Sequence, residues 1–375
     1  MKIAVIGVGG VGSAACRFGA RGGHEVVGFE QFLIGHPRGS SHGESRIIRY
    51  TYPDLLYTQM MGDAYPLWAE LEEEAGQELF VRCGGVLFGP REHERVRATR
   101  DALAAAGLPF ETLEPDEASQ RFPAFALRPD EIALFQRQSG FLRSSRCILA
   151  NARLAREAGA ELREEAPVCG LEPRSGGVVV RTARGEELFD RVIVTAGAWM
   201  GRLLEGCGLP LQVEQRQIMY VSIARHHKYF EAGQMPVWID AGAFYYGFPS
   251  DGQLAGVKLA SHVRGAPFNP DDEARPVIEE NVEHALAYAR ERLPDTGGHA
   301  LHAQACLYTV TPDEHFVLDR APGLENVWLC SACSGHGFKF TILLGKLMVD
   351  LATGGSYERD LSRFSASRFN TSRFA

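Results

Sequence analysis

The sequence has no long apolar run and no block of basic residues. None of its 375 residues falls in an uninterrupted apolar stretch near the length of about 18 that a membrane-spanning helix needs. The formal net charge is −8 and the Lys and Arg residues are dispersed, which argues against nucleic acid or a membrane as a partner. The apolar residues after Lys2 lack the cleavage site of a signal peptide. We therefore expect a soluble, cytoplasmic protein.

The cysteines are few for a secreted disulfide scaffold. Eight are scattered over the chain, a pattern typical of free thiols in a reducing compartment. Cys330 and Cys333 form one C-x-x-C, but no second pair and no pair of histidines at ligand spacing accompanies it. We therefore predict no metal centre.

A dinucleotide-binding pattern opens the chain. Lys2 to Gly7 is typical of a buried strand, glycines and an alanine-rich helical stretch follow, and a second apolar run ends at Glu30. Gly9 permits the backbone to approach a pyrophosphate, and Gly12 permits helix and strand to pack closely. Glu30 is placed to accept hydrogen bonds from a ribose. By itself this pattern fits FAD and NAD equally.

The rest of the chain predicts a discontinuous architecture. A helix over Ser144–Ala158, buried strands near 191–199 and 327–332 and a helix ending near Asp350 continue the α/β pattern. The stretches between them mix strands, prolines, a charged helix over Arg91–Ala106 and a helix over Pro276–Leu293. We predict one domain from residues 1–80, 140–212 and 313–375, and a second domain from 81–139 and 213–312. The tail after Ser362 is expected to be ordered only at its start.

Three further segments carry a family resemblance. They are Gly39-Ser-Ser-His-Gly-Glu-Ser-Arg-Ile-Ile-Arg49, Cys306-Leu-Tyr-Thr-Val-Thr-Pro-Asp-Glu-His-Phe316 and Ser334-Gly-His-Gly-Phe-Lys-Phe340. Together with the glycine turn they resemble the monomeric sarcosine oxidase family, which includes N-methyl amino acid and pipecolate oxidases. The resemblance runs in order over almost the whole chain. It implies an α/β fold, in which a Rossmann-like FAD-binding domain is interleaved with a mixed α+β substrate-binding cap domain containing an antiparallel sheet.

The resemblance also implies the cofactor. It is FAD, held covalently through the sulfur of Cys306 on the 8α-methyl group of the flavin. Taken alone, Cys306 would be interpreted as a small buried hydrophobic residue. The residues expected to contact FAD are Gly7, Gly9, Gly10, Gly12, Glu30, Ser41, Val168, Gly197, Trp199, Cys306, Gly335, Gly337 and Lys339.

Substrate binding is assigned to Arg49 and Lys339, because the family positions that they match hold a substrate carboxylate. An arginine forms a fork to a carboxylate, which suits this task. Arg46 and Arg49 are three residues apart, as one helical face would place them, and the apolar Ile47 and Ile48 between them indicate partial burial. The alternative is that both arginines are solvated.

The resemblance assigns catalytic roles to six residues. Lys258 matches the residue that activates oxygen above the flavin, and the alternation around it predicts a strand with His262 on the same face. An edge lysine without function is the alternative. His262, Tyr246 and Tyr308 are expected to line the substrate side, the tyrosines being ordinary core residues otherwise. His42 and Arg46 are expected to tune the flavin and its oxygen site.

We therefore predict an FAD-dependent oxidase of a small secondary amino acid, with that amino acid and oxygen as its partners and a monomer or weak homo-oligomer as its state. Alternatives are a dehydrogenase with a non-oxygen acceptor, an NAD-dependent dehydrogenase and a non-catalytic flavin- or amine-binding module. Cys333 stands where the family often has phenylalanine, and the bulky Trp238 is expected to border the pocket. These departures leave the amine open between sarcosine, larger N-methyl amino acids, cyclic imino acids such as pipecolate, and sugar-modified amino acids.

Overall fold

The computed structural model describes residues 1–369. The strands are β1 (Lys2–Ile6), β2 (Glu25–Phe29), β3 (Arg46–Ile48), β4 (Phe80–Val81), β5 (Gly85–Pro90), β6 (Glu111–Leu113), β7 (Glu131–Gln136), β8 (Gly140–Leu142), β9 (Glu161–Arg163), β10 (Val168–Arg174), β11 (Gly177–Thr182), β12 (Gly185–Phe189), β13 (Arg191–Val194), β14 (Gln212–Ile223), β15 (Val237–Asp240), β16 (Tyr245–Gly247), β17 (Gly256–Ser261), β18 (Thr296–Val310), β19 (Val317–Arg320) and β20 (Val327–Ser331). The helices are α1 (Gly10–Arg21), α2 (Leu55–Ala75), α3 (Glu94–Ala105), α4 (Pro115–Arg121), α5 (Ser144–Glu157), α6 (Met200–Leu203), α7 (Glu279–Arg292) and α8 (Thr341–Ala352).

A six-stranded sheet is the centre of the first structural unit. Its order is β19-β20-β13-β1-β2-β9, and every neighbouring pair is parallel except the antiparallel edge pair of β19 and β20. The strands β1, β13 and β20 are almost continuously apolar and buried, as strands covered on both faces are. Their carboxyl ends meet at one edge, where ligands bind in open α/β sheets.

Helices cover one face of this sheet and a small sheet covers the other. The helix α1 packs against both α5 and α8 on the first face. On the second face lies the antiparallel sheet β10-β11-β12, which shares an apolar core with residues such as Ala4 and Val27. The predicted helix over Ser144–Ala158 and the predicted strands at the N-terminus are confirmed within one or two residues.

An eight-stranded sheet forms the second unit. Its order is β18-β14-β17-β16-β15-β5-β7-β6, antiparallel throughout except for the parallel pair of β5 and β15. One face packs against α7 and the other against the smaller cluster around Leu87 and Phe248. The predicted fold class, a Rossmann-like domain with a mixed cap domain that contains an antiparallel sheet, is therefore confirmed.

One local prediction is wrong. Residues 46–49 do not form a helix, because Arg46–Ile48 is the strand β3, which pairs antiparallel with β8. Across that pair Ile47 faces Phe141, so strand pairing with a distant segment overrides the three-residue spacing that suggested a helix. Arg46 and Arg49 both line the same cavity, although they do so from the start and from beyond the end of a strand.

The predicted division into two discontinuous domains stays a prediction. The six-stranded sheet draws its strands from residues 2–29, 161–194 and 317–331, and the eight-stranded sheet draws its strands from 85–136 and 212–310. Of the predicted tail, Ser362–Phe369 forms two short 3-10 turns, and its last six residues lie outside the described residues. Among residues 1–369 no helix is long and apolar enough to cross a membrane.

Candidate active site

A cavity of about 430 Å³ lies where the carboxyl edge of the six-stranded sheet meets the eight-stranded sheet. Its size is typical of a ligand site. Its wall includes every residue predicted for the site except Gly12. The predicted residues that line it are Gly7, Gly9, Gly10, Glu30, Ser41, His42, Arg46, Arg49, Val168, Gly197, Trp199, Tyr246, Lys258, His262, Cys306, Tyr308, Gly335, Gly337 and Lys339. Gly12 lies one turn into α1, behind the wall.

The glycine turn is packed so closely that no side chain fits at Gly12. A Cβ atom there would lie 1.8 Å from the carbonyl oxygen of Gly7. Gly9 is the N-cap of α1 and leaves open space on the cavity side, where a Cβ atom would meet only the Ser41 hydroxyl at 3.7 Å. The positive end of α1, where the Gly10 N–H donates to the Ser41 hydroxyl at 3.3 Å, therefore faces the cavity, which is the arrangement that binds a pyrophosphate.

Glu30 is fixed at the end of β2. It is 4% exposed, and its carboxylate accepts hydrogen bonds from the backbone N–H groups of Val8, at 3.0 Å, and Phe32, at 3.1 Å. These bonds hold a buried negative charge at the edge of the cavity, beside the glycine turn. At the same end, Val168 begins β10, and Trp199 donates its indole N–H to Asp271 at 2.7 Å. The glycine turn, Glu30 and the α1 terminus fit the pyrophosphate and ribose of a dinucleotide such as FAD.

Arg46 holds together the loop that precedes it in the chain. Its guanidinium donates to the carbonyl oxygens of Ser40, His42 and Ser45 at 2.6 to 3.0 Å. It is thus paired with backbone oxygens rather than with an acid. His42 bonds through Nδ1 to the carbonyl of Gly39 at 2.9 Å, and burial together with the Arg46 charge lowers its pKa to about 4. His42 is therefore neutral at pH 7.

Lys258 lies on β17 and its ammonium group is buried, with the residue 2% exposed. Nζ donates to the carbonyl oxygen of Ser45 at 3.2 Å and to its hydroxyl at 3.0 Å. Burial, and then the Arg46 charge, lowers its pKa to about 7, while the charge of Asp251 raises it. The group is therefore poised between its two protonation states near neutral pH.

Asp251 connects to Lys258 through Ser45. This carboxylate is 3% exposed and accepts hydrogen bonds from the Ser45 hydroxyl at 2.6 Å and from the Tyr220 hydroxyl at 2.8 Å. The hydroxyl of Ser45 therefore accepts from Lys258 and donates to Asp251. Sequence reasoning missed Asp251 and Tyr220, since they lie far from Ser45 in the chain and no motif marks them.

Arg49 and Lys339 are buried cations, each 5% exposed. The Arg49 guanidinium lies over the Tyr52 ring at 4.1 Å and donates to the carbonyl oxygen of Thr51. Lys339 donates to the Tyr52 hydroxyl at 3.1 Å and to the carbonyl oxygen of His336 at 2.7 Å. Among residues 1–369 neither cation has a carboxylate partner within ion-pair distance. The two residues predicted to bind the substrate are therefore buried cations that line the same cavity without an acidic partner among the described residues.

Burial and mutual repulsion shift the pKa values of this group. Burial, and then Lys339 and Arg49, hold the pKa of His336 well below its usual range, and burial and Arg49 do the same to Lys339. Burial lowers the pKa of Arg49 to about 10, and burial and the surrounding arginines lower that of His262 to about 3. Such shifts are expected where buried cations lie close together without an anion to pair with, and they are typical of functional sites.

The 3-10 turn Phe338–Phe340 carries Lys339 and is anchored from below. The indole N–H of Trp68, on α2, donates to the Lys339 carbonyl at 2.8 Å. The turn before it requires glycine, because Gly335 has a φ of +76° and a Cβ atom there would lie 2.2 Å from the ring of Tyr308. This close approach fixes the aromatic ring against the backbone of the turn.

Tyr246, Tyr308 and Cys306 form the opposite wall. The two tyrosine hydroxyls hydrogen bond to each other at 3.1 Å, and Tyr246 packs on His262 with ring centroids 4.5 Å apart. Cys306 is 8% exposed, on β18. Burial raises its pKa, while the Arg46 and Lys258 charges oppose that rise.

The expectation that Trp238 borders the cavity is wrong. Trp238 is 1% exposed and points to the other face of its sheet, where its ring stacks on Tyr288 with centroids 5.7 Å apart. Its neighbour Ile239 faces the cavity instead, because successive residues of a strand alternate between faces. Cys333 lies in the wall, as expected from its turn, and its sulfur accepts from the Thr309 N–H at 3.3 Å.

Comparison with known proteins agrees with this geometry. The family model for FAD dependent oxidoreductases matches residues 2–351. The chain is 36% identical over 373 residues to a monomeric sarcosine oxidase of Streptomyces avermitilis, covering 98% of this chain and 97% of that protein. It is 32% identical over 372 residues to an N-methyl-L-tryptophan oxidase of Salmonella heidelberg, covering 98% of each. The structure of NikD, described as an unusual amino acid oxidase essential for nikkomycin biosynthesis, superposes with a TM-score of 0.84 at 25% identity, over 97% of this chain and 96% of that one.

The fold, the dinucleotide cradle and these matches define an FAD-dependent oxidase that acts on the CH–NH group of amines or amino acids. The chain belongs to the FAD dependent oxidoreductase family, and among its relatives are the monomeric sarcosine oxidases that its motifs resemble. The prediction of an FAD-dependent oxidase is confirmed, and the alternatives of an NAD-dependent dehydrogenase and a non-catalytic module are excluded.

Proposed function

We propose that the protein oxidises the C–N bond of a small secondary amino acid, such as sarcosine, another N-methyl amino acid or a pipecolate-like imino acid, giving an imine or aldehyde and hydrogen peroxide. One observation carries this proposal. Arg49 and Lys339 are buried, adjacent and without a carboxylate partner among the described residues, at the edge of a cavity that fits FAD. A substrate carboxylate is the anion that completes them.

The docking pair selects and orients the substrate. Arg49 offers a planar fork and Lys339 a point charge, so the two together fix both the position and the rotation of a carboxylate. Since Tyr52 lies under the Arg49 guanidinium and accepts from Lys339, the two cations keep their places before the substrate arrives. A carboxylate docked in this way would leave the neutral amine of the substrate in the cavity that would hold FAD.

When bound, FAD would supply the redox chemistry that couples oxidation of the C–N bond to reduction of oxygen. The protein contributes position and charge. The residues that we propose to hold FAD are Gly7, Gly9, Gly10, Gly12, Glu30, Ser41, Val168, Gly197, Trp199, Cys306, Gly335, Gly337 and Lys339. Tyr246, Tyr308 and His262 line the substrate side, and His262 is neutral at pH 7 because burial and the neighbouring cations lower its pKa to about 3.

Lys258 is proposed as the oxygen-activating residue. A fixed cation beside the flavin stabilises the negative charge that develops when oxygen takes up electrons. Arg46 adds a second positive charge in the same region and donates a hydrogen bond to the carbonyl oxygen of His42, whose imidazole is held neutral by burial and by the Arg46 charge. These groups act by electrostatics and do not exchange covalent bonds.

Cys306 is proposed to carry the flavin covalently. An S–C bond to the 8α-methyl group replaces the thiol S–H and one methyl C–H, and the two electrons released pass to oxygen, the acceptor of the oxidase reaction itself. Acid denaturation of the purified yellow protein tests this link. Colour should remain with the precipitated wild type and appear in the supernatant of Cys306→Ala, with Cys330→Ala as the matched control that keeps its colour. Free FAD released from the wild type would contradict the link and leave the fold unaffected.

The proposed reaction is tested by anaerobic mixing. Sarcosine, N-methyl-L-alanine and pipecolate should each bleach the flavin absorbance, whereas N-methylethylamine, which lacks the carboxylate, should not. In air the product should include one hydrogen peroxide per substrate. Arg49→Ala should weaken carboxylate binding by roughly 10- to 100-fold, as expected for the loss of charge-assisted hydrogen bonds. Equal rates for N-methylethylamine and sarcosine would contradict the docking role of Arg49 and Lys339.

A further inference from the structure

A chain of hydrogen bonds begins at Lys258 in the cavity and ends at the protein surface. Lys258 Nζ donates to the Ser45 hydroxyl at 3.0 Å, and that hydroxyl donates to the Asp251 carboxylate at 2.6 Å. The Tyr220 hydroxyl lies 2.8 Å from the same carboxylate oxygen and 2.8 Å from the side-chain oxygen of Gln253. The first four residues of this chain are at most 3% exposed, whereas Gln253 is exposed. The chain therefore joins a buried group of the cavity to solvent.

The Asp251 carboxylate is held in place by three donors. One oxygen accepts from the hydroxyls of Ser45 and Tyr220, and the other accepts from the backbone N–H of Gln253 at 3.1 Å. Each step from Lys258 to Tyr220 lies within the roughly 2.6–3.2 Å over which a proton passes directly between side chains. The hydroxyl of Ser45 both accepts and donates, unlike the carbonyl oxygen of the same residue, which Lys258 also contacts. The hydroxyl is therefore the link that can carry a proton.

Among residues 1–369, Asp251 is the one acid that hydrogen bonds connect to Lys258. The charged and titratable groups that act on the ammonium group are Arg46, Asp251, Cys306 and Glu44. The Arg46 guanidinium has donors only and so cannot pass a proton on. Glu44 is next to Ser45 in the chain, but its carboxylate lies toward Arg146, at 3.9 Å, and outside the hydrogen-bonded chain.

Reduction of oxygen to hydrogen peroxide consumes two electrons and two protons. A hydride lost from the substrate carbon carries both electrons and one proton, so the second proton must come from another source. Lys258, the proposed oxygen-activating residue, is a donor at the site. When it gives up a proton, an N–H bond breaks, an O–H bond forms and a neutral amine remains. A neutral amine no longer stabilises the charge that develops on the next oxygen molecule, so Lys258 must regain its proton.

We propose that Ser45 and Asp251 form a proton path through which Lys258 is recharged from solvent after each oxygen molecule is reduced. The Ser45 hydroxyl turns toward the neutral amine and gives it a proton, Ser45 takes a proton from the Asp251 carboxyl group, and Asp251 takes one from water near Gln253. The net change is the transfer of one proton from solvent to peroxide. The inference rests on the proposed function, because it requires Lys258 to be the oxygen-activating residue. Ser45 and Asp251 are positioning residues, since they act through Lys258.

The path is tested first without substrate, by the exchange of Lys258 Nζ protons with water in the oxidised holoenzyme. The chain has only five lysines, so 15N-lysine labelling gives few NMR signals, and Lys258→Met assigns the relevant one. Because a path that delivers protons also removes them, Asp251→Asn should slow this exchange by about tenfold, within the contribution of a positioned proton-transfer group. The exposed Lys228 is the internal control. Glu44→Gln, which removes a carboxylate outside the chain, should leave the exchange unchanged.

Kinetics provide the second readout. At a pH where the NMR signal shows Lys258 charged in both proteins, a single oxidation of the reduced enzyme needs no recharging. Asp251→Asn should keep this first oxidation within about threefold, whereas kcat in air should fall by about tenfold and should fall further in D2O. Ser45→Ala should have the same two effects. Ser45→Thr, which restores a hydroxyl, should recover the wild-type exchange and kcat.

The outcomes separate this inference from the function on which it rests. If Asp251→Asn keeps the wild-type exchange and kcat, or if Glu44→Gln slows them equally, the proton path is overturned and the oxidase stands. If Asp251→Asn slows the first oxidation as much as kcat, Asp251 acts only on the charge or position of Lys258, and the path is overturned as well. If sarcosine, N-methyl-L-alanine and pipecolate all fail to reduce the flavin of the wild type, the proposed function itself is overturned. The exchange measurement, which needs no substrate, then still decides whether the path exists.

Discussion

Lys258 shows how one buried side chain can combine two requirements. In the proposed role it must carry a charge to assist oxygen, yet its burial and the Arg46 charge oppose that charge and lower its pKa to about 7. Its hydrogen bonds to Ser45 and the nearby carboxylate of Asp251 favour the charged form. The balance between these effects sets how much of the protein carries the ammonium group at neutral pH.

Replacing Lys258 with methionine keeps the volume and removes the charge. We expect the reoxidation of reduced flavin by oxygen to slow by roughly 10²- to 10³-fold, the effect of losing one preorganised electrostatic group. Anaerobic reduction by substrate should be largely kept. Stopped-flow absorbance separates the two half-reactions, and Lys228→Met, at an exposed position, is the control. Unchanged reoxidation would remove Lys258 from this role.

Asp251 should set the pH range in which Lys258 works. Because the Asp251 charge raises the pKa of Lys258, Asp251→Asn should lower that pKa further. The active ammonium form exists below the pKa, so the fast reoxidation should be lost at a lower pH in the variant than in the wild type. Stopped-flow reoxidation measured from pH 5 to pH 9 checks this, with the amide keeping the hydrogen bond from Ser45. A profile that moves to higher pH, or does not move, would contradict the role of Asp251.

The residues that the sequence could predict are those inside local motifs. Glu30, Arg49, Cys306 and Lys339 were predicted from local patterns, the longest of which is the stretch from Lys2 to Glu30, and all four line one cavity. Asp251 was not predicted, because its contact with Ser45 spans 206 positions and depends on the packing of a loop against β3.

Strands that pair with distant partners are the elements that local spacing misjudges. The spacing of Arg46 and Arg49 suggested a helix, but Ile47 and Ile48 complete a three-stranded sheet with β8 and β4, and this pairing decides their conformation. Trp238 was misplaced because the side chains of β15 alternate between the two faces of the sheet, and the sequence did not show which of them faces the cavity. By contrast, β1 and α1 were predicted well, since the glycine turn that connects them is a local pattern.

The packing of α8 on α1 depends on a glycine. A Cβ atom on Gly345 would lie 2.5 Å from Cβ of Ala14 and 2.7 Å from the backbone nitrogen of Ala15. We expect Gly345→Ala to lower the free energy of unfolding by about 1–3 kcal/mol, as overpacking does, in spite of the better helix propensity of alanine. Urea unfolding of the holoenzyme followed by circular dichroism measures the change.

Gly62, on α2, is the matched control for this packing effect. It is an exposed glycine in a helix, and a Cβ atom there would meet nothing within 4 Å. Gly62→Ala should therefore raise the free energy of unfolding by about 0.5–1 kcal/mol. Two glycine-to-alanine changes in helices should thus have opposite signs. A stabilising effect at both positions would show that α1 and α8 separate more easily than their contact implies.

The molecule as a whole is acidic, with a formal net charge of −8, yet the charged residues that line its cavity are mostly cations, namely Arg46, Arg49, Arg202, Lys258 and Lys339. Glu30, at the opposite end from Arg49 and Lys339, is the one Asp or Glu among the described lining residues. The buried cations repel one another and lose hydration, which lowers the free energy of unfolding of the empty protein. A bound anion would offset this destabilisation. Function and stability are therefore expected to oppose each other at this site.

Lys339→Met tests that opposition directly. The pKa of Lys339 is held well below the ordinary lysine value of 10.5. Between these two pKa values the unfolded chain binds more protons at this lysine than the folded protein does. The free energy of unfolding therefore falls as the pH drops from 10.5 toward the pKa of the folded protein. Methionine removes this loss and keeps the volume. In buffers free of carboxylates, the variant should therefore gain about 1 kcal/mol or more in the free energy of unfolding at pH 7, a gain that shrinks toward pH 10. Carboxylate inhibitors should stabilise the wild type and not the variant.

Lys346→Met, at a partly exposed lysine of α8, is the control and should change the free energy of unfolding by less than about 0.5 kcal/mol at either pH. A destabilised Lys339→Met would mean that its bonds to Tyr52 and His336 outweigh the cost of the buried charge, and the cavity would then be stable without an anion.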